Sequence, residues 1–187
     1  MAPTILIHPG LYNSAPEHWQ SKWEAMLPNA VRVQQADWDQ PKRADWVATL
    51  DALIVASPGP IILVAHSLGC ATLAWWAAEN GNAAHASKLE AALLVAPPDV
   101  EQADFPDFIT GFAPMPRPRL PFKSMVVASS DDPWCSAVSR ARSFAADWGA
   151  VFQEIGPHGH INGDSGLGDW PQGRQWLAEL TPAATSR

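Results

Sequence analysis

Ile61-Ile62-Leu63-Val64-Ala65-His66-Ser67-Leu68-Gly69 is the stretch that decides the fold. Its first five residues form an unbroken apolar run, the pattern of a central parallel strand buried on both faces. Behind a turn of small residues, Leu68, Leu73, Trp75 and Trp76 mark a helical stretch that runs to Asn80-Gly81. A strand that passes into a helix through Ala-x-Ser-x-Gly is the setting of a nucleophile elbow, where a sharp turn demands small neighbours around an exposed serine. Gly69 meets that demand, and Ala65 stands where the commoner pattern has glycine. Such a turn holds Ser67 Oγ at a helix N-terminus, where free N–H groups and the dipole favour developing negative charge. Taken alone, an ordinary N-cap serine accounts for the motif equally well.

On either side of this stretch, short β-rich runs alternate with longer helical ones. Residues 4–7 read as a buried strand stopped by His8-Pro9-Gly10, and Val31 and Val33 as a second, more exposed strand. Residues 89–96, 125–128 and 151–155 complete a set of about six strands. Ser14 and Glu17 fit a capping box, with Pro16 near the helix start and Trp19, Trp23, Met26 and Leu27 as its apolar stripe. Trp46, Leu50, Leu53 and Ile54 mark another helix, residues 136–148 a further one, and a last begins near Asp169 with Pro171 in its first turn. This alternation predicts an α/β fold with a mostly parallel sheet flanked by helices. A single domain is expected over residues 1–180, with 181–187 as a flexible tail.

Composition narrows the function classes. The chain has 187 residues and a formal net charge of −7, without a Lys/Arg-rich run, which argues against nucleic acid or an anionic membrane surface as partner. The first residues lack a basic signal-peptide n-region, and no stretch approaches the ~20 apolar residues that span a bilayer, so a cytoplasmic location is expected. Cys70 and Cys135 are too few for a disulfide framework or a structural zinc site and have no C-x-x-C spacing. The 10 tryptophans are expected mostly in the core, with a minority walling a pocket. Residues 97–121 are proline-rich and weakly periodic, which fits either a functional lid or a surface excursion.

Two further signals sit beyond predicted strands. Asp131-Asp132-Pro133 follows the fifth, and Asp132 is the expected working acid because Pro133 fixes the turn after it, leaving Asp131 a solvated or capping neighbour. Gly156-Pro157-His158-Gly159-His160 follows the sixth, and His160 is the expected general base. His66 is read as supporting the elbow from behind. In a parallel sheet these strand ends share one edge, so Ser67, Asp132 and His160 can converge, and Ser…Asp…His is the α/β-hydrolase chain order. Leu68, together with Gly10 or Leu11 after the first strand, would supply the N–H groups of an oxyanion hole.

His8-Pro9-Gly10, Glu17-His18-Trp19, Asp37-Trp38-x-x-Pro41, Ala65-His66-Ser67-Leu68-Gly69, Asp131-Asp132-Pro133 and Gly159-His160 together resemble the small α/β-hydrolases of the retinoblastoma-binding protein 9/YdeN-like serine hydrolase family. The resemblance covers nearly the whole chain and implies a compact core with little or no lid and the triad placed as above. The expected activity is cofactor-free hydrolysis of a small-molecule ester, thioester or amide. Two other readings compete: a binding protein that uses the fold with an idle triad, and a metal hydrolase built on His158, His160 and Asp164.

Overall fold

The computed structural model of the protein describes residues 2–181. Six strands form one sheet: β1 Thr4–His8, β2 Ala30–Arg32, β3 Ile61–His66, β4 Leu89–Val95, β5 Lys123–Ala128 and β6 Val151–Glu154, in the order β2-β1-β3-β4-β5-β6. All five neighbouring pairs are parallel. The helices are α1 Trp19–Met26, α2 Arg43–Ala56, α3 Leu68–Asn80, α4 Val138–Trp148 and α5 Pro171–Leu180.

Alternate strand residues feed two separate cores. Leu6, Leu63, Ala92, Leu94 and Val126 face Trp46 and Leu50 of α2, Leu73 and Trp76 of α3, and Phe144 and Trp148 of α4. Ile5, Ile7, Ile62, Val64, Leu93 and Val127 face Trp19 and Trp23 of α1 and Leu177 and Leu180 of α5. The period-2 alternation of strands therefore splits the apolar runs between two helical layers, which is why β3 carries no polar residue before His66.

Strand order reverses between β1 and β3, because the chain leaves β1 towards one edge and β3 towards the other. Loops that leave the C-terminal ends of those strands diverge there and open the crevice where α/β sheets bind ligands. Ser67 sits at that point.

The structure corrects the sequence reading at α1. The helix begins at Trp19 and not at the Ser14–Glu17 capping box, because Pro16 and Glu17 form a turn of their own. His18 is the N-cap, its Nδ1 accepting from the Gln20 amide at 3.1 Å, while Ser14 Oγ donates to Gln20 Oε1 at 2.8 Å. Gln20 is drawn inward, where its Nε2 donates to His8 O and Val64 O. That turns the buried face away from Met26, the last residue of α1, which is exposed.

Residues 97–121 form no helix or strand element, but neither are they a loose excursion. Val100, Ile109, Phe112, Met115 and Leu120 are buried against the α2–α4 side. Trp75 Nε1 and Trp148 Nε1 pin the segment by donating to Phe112 O (2.7 Å) and Pro116 O (2.8 Å). At the C-terminus Thr181 caps α5, its N–H donating to Leu177 O; the rest of the expected tail, 182–187, lies outside the described residues.

Candidate active site

The elbow is built by crowding. Ser67 links β3 to α3 with φ 53° and ψ −125°, a left-handed conformation costly for a residue with a side chain. Its N–H donates to Val95 O of the neighbouring strand, which helps hold the turn. There is no space around it. A Cβ on Gly69 would lie 2.6 Å from His8 O, and one on Gly10 would lie 2.7 Å from Ser67 Cβ and 3.1 Å from Ser67 Oγ. Both glycines are therefore required by close approach, and Gly10 brings the loop after β1 against the serine.

The structure brings Ser67, His160 and Asp132 into one hydrogen-bonded line. Ser67 Oγ–H donates to His160 Nε2 at 2.7 Å, and His160 Nδ1–H donates to both Asp132 oxygens at 2.9 Å. Asp132 is buried, and its Oδ1 also accepts from the Trp134 amide, so the carboxylate is fixed by its own turn. An imidazole that accepts from a hydroxyl on one nitrogen and donates to a carboxylate on the other can take the hydroxyl proton and share the resulting charge with the acid. With both ring nitrogens engaged, His160 has none free for a metal, and among the described residues no group of three His, Cys, Asp or Glu side chains is placed to hold one.

Leu68 opens α3, so its amide is one that the helix itself leaves free. Leu11 lies with Ser67 and Leu68 in the lining of a cleft of about 530 Å³. Its apolar lining includes Pro98, Phe105 and Ile109 of the proline-rich segment together with Trp134. Its polar lining includes Asn13, Glu17, His18, Asn162 and Asp164. Residues 97–121 thus contribute to the lining of the cleft.

The remaining histidines and both cysteines take structural positions. His66 Nε2–H donates to His160 O at 2.8 Å, and its ring contacts those of His160 and His18. Burial, followed by the neighbouring His18 and His160, holds the His66 pKa well below the usual imidazole value. His18 is lowered to about 3, chiefly by burial, with His160 and Arg32 adding repulsion. His8, under the elbow, is lowered to about 4 by burial although its ring bonds Pro9 O. His158 is exposed. Cys70 and Cys135 are buried, and burial pushes the Cys135 thiol up to about 12 and the Cys70 thiol higher still.

One contributor was not legible in the sequence. Asp131 is exposed, yet its Oδ1 accepts from Ser129 Oγ (2.7 Å) and from the Gly159 amide (2.8 Å), joining the acid's turn to the loop of His160. Only the Ser129-Ser130-Asp131 spacing hints at it, and short polar turns are too common to single it out.

Comparison with known proteins supplies the context for this geometry. A family model described as serine hydrolase matches residues 5–179. A YdeN-like hydrolase from Pectobacterium atrosepticum superposes with a TM-score of 0.82 at 29% identity, over 97% of this chain and 94% of that one. The ydeN gene product of B. subtilis gives 0.75 at 23% identity, over 95% and 98%. Est1E from Butyrivibrio proteoclasticus shares the fold at 10% identity, with a TM-score of 0.69 over 96% and 88%. No curated protein sequence matches the chain.

Proposed function

We propose, from the premise that this chain belongs to the serine hydrolase family, that Ser67, His160 and Asp132 hydrolyse a small ester, thioester or amide through an acyl-enzyme. The observation that carries the reading is the hydrogen-bonded line from Ser67 Oγ through His160 to the buried Asp132.

In this mechanism Ser67 Oγ attacks the substrate carbonyl carbon as its proton passes to His160 Nε2. Asp132 keeps Nδ1 protonated, orients the ring and stabilises the imidazolium. The amide of Leu68 and one from the Gly10–Leu11 loop receive the oxyanion, in a site where Gly10 leaves room for the carbonyl oxygen beside Ser67. His160 then returns the proton to the leaving group, and the acyl group stays on Ser67. Water, deprotonated by the same imidazole, attacks the acyl carbon and frees the serine. The small-molecule substrate is supported by the cleft of about 530 Å³, within the range of ligand pockets, and the apolar side chains in its lining suit an aliphatic or aromatic group.

The test is labelling by a fluorophosphonate, followed by an ester and thioester panel of graded chain length. Wild type should label stoichiometrically at Ser67 and turn over part of the panel, while Ser67→Ala should do neither. His160→Ala should lower kcat by about 10³ or more, and Asp132→Asn by on the order of 10³–10⁴. Undiminished labelling of Ser67→Ala would overturn the assignment.

A further inference from the structure

The loop that presents His160 is tied down at four consecutive residues by side chains from outside it. His158 N–H donates to Ser129 Oγ (2.9 Å) and Gly159 N–H to Asp131 Oδ1 (2.8 Å). His160 O accepts from His66 Nε2 (2.8 Å) and Ile161 O from Trp19 Nε1 (2.7 Å). A Cβ on Gly156 or Gly159 would meet nothing within 4 Å, so at those points neighbouring atoms do not wedge the loop in place. Hydrogen bonds from other elements set its position, together with the Ile161 side chain buried in the core on the α1–α5 side.

Within this clamp Asp131 and Ser129 act as a pair. Ser129 is buried after β5, receives the His158 amide and donates its own proton to Asp131 Oδ1 at 2.7 Å. The same Asp131 oxygen receives the Gly159 amide, so two successive amides directly before His160 are held from the turn that carries Asp132. The acid and the base are thereby set at a fixed distance through their backbones as well as through the Asp132–His160 bond.

We propose that Asp131 is a positioning residue for His160, acting through its Oδ1 as acceptor of the Gly159 N–H; the proposal rests on the hydrolytic reading of Ser67, His160 and Asp132. What the loop uses is an acceptor oxygen, not a charge. Both bonds converge on one oxygen, and the carboxylate is exposed, where solvent and salt screen its field. Asparagine offers the same oxygen at the same place, whereas alanine offers none.

The experiment compares Asp131→Ala with Asp131→Asn by steady-state kinetics on the ester that wild type turns over, by fluorophosphonate labelling rate, and by amide hydrogen exchange at Gly159. Misplacing a reacting group by 1 Å can cost on the order of 10², so Asp131→Ala should lose about 10- to 100-fold in kcat with KM within about twofold. Its Gly159 amide should exchange faster. Asp131→Asn should stay within about threefold of wild type in kcat and restore slow exchange, which separates it from Asp132→Asn. Wild-type kinetics in Asp131→Ala, or equal losses in both variants, would overturn the proposal. Absence of Ser67-dependent labelling in wild type would instead overturn the hydrolytic reading, and Gly159 exchange would then decide the brace by itself.

Discussion

The serine and its imidazole partner meet at 2.7 Å, but the two sides of the site are held by opposite means. At the elbow, position is enforced by volume: added carbon atoms on Gly10 or Gly69 would overlap backbone or Ser67 itself. At the loop, Gly156 and Gly159 have open space beside them, and position is enforced by hydrogen bonds from Ser129, Asp131, His66 and Trp19. Steric confinement is unforgiving of added atoms and indifferent to polar chemistry, whereas a hydrogen-bonded clamp tolerates volume and fails when a donor or acceptor is lost. One site therefore contains a half fixed by volume and a half fixed largely by hydrogen bonds.

The contrast can be broken most directly at Gly69. Gly69→Ala forces a methyl against His8 O and its ring, and should destabilise the fold by about 3 kcal/mol and abolish labelling. Urea unfolding with a parallel fluorophosphonate assay checks both. Gly10→Ala should leave the fold standing but place its methyl between Ser67 Oγ and the Leu68 amide, lowering kcat by about 10². Circular dichroism and turnover measure the split.

Acid should act on the elbow side. His8 titrates at about 4 when folded, against an ordinary value of 6.5, and His66 is also well below it. Below that ordinary value the unfolded chain binds more protons than the folded one, so stability falls with falling pH. For His8 the gap from 6.5 to about 4 corresponds to on the order of 3 kcal/mol lost by pH 4. Thermal melting between pH 7 and pH 4 should show a steep decline, and a flat profile would remove the buried neutral rings from the account. The smallest effect is expected at Gly159→Ala, where only the left-handed φ of 55° resists: about 1 kcal/mol of stability. A larger loss there would mean that the loop is confined by volume after all.

The same contrast explains what the sequence disclosed. Strands β1, β3, β4 and β5 announce themselves as apolar runs because both of their faces are buried, and the elbow does so because crowding leaves only small residues around Ser67. Strand order and chain order then put Asp132 and His160 on the correct edge. Partnerships across long separations left no local trace: Trp19 with Ile161, His66 with the His160 carbonyl, and Asp131 with Gly159. The start of α1 departs from its local sequence pattern for a related reason. A Ser-x-x-Glu pattern is local, but Gln20 is pulled inward by the carbonyls of His8 in β1 and Val64 in β3, and that fixes the helix where His18 caps it. The proline-rich segment gave no periodic signal because scattered apolar side chains, not a helical stripe, anchor it.

An all-parallel sheet also imposes a timetable on synthesis. Adjacent parallel strands cannot be joined by a tight hairpin, so each pairing waits for a whole crossover, and such non-local contacts form slowly. As the chain emerges from the ribosome, Ser67 appears first, Asp132 well after it, and His160 only beyond β6. The side chains that clamp the loop of His160 have by then been waiting on three earlier parts of the chain: Trp19 of α1, His66 of β3, and Ser129 with Asp131 after β5. A nascent chain therefore carries the elbow serine through the synthesis of three further strands before the imidazole that bonds it emerges. On the proposed mechanism, the site is assembled only once β6 has docked and the loop after it brings His160 to Ser67.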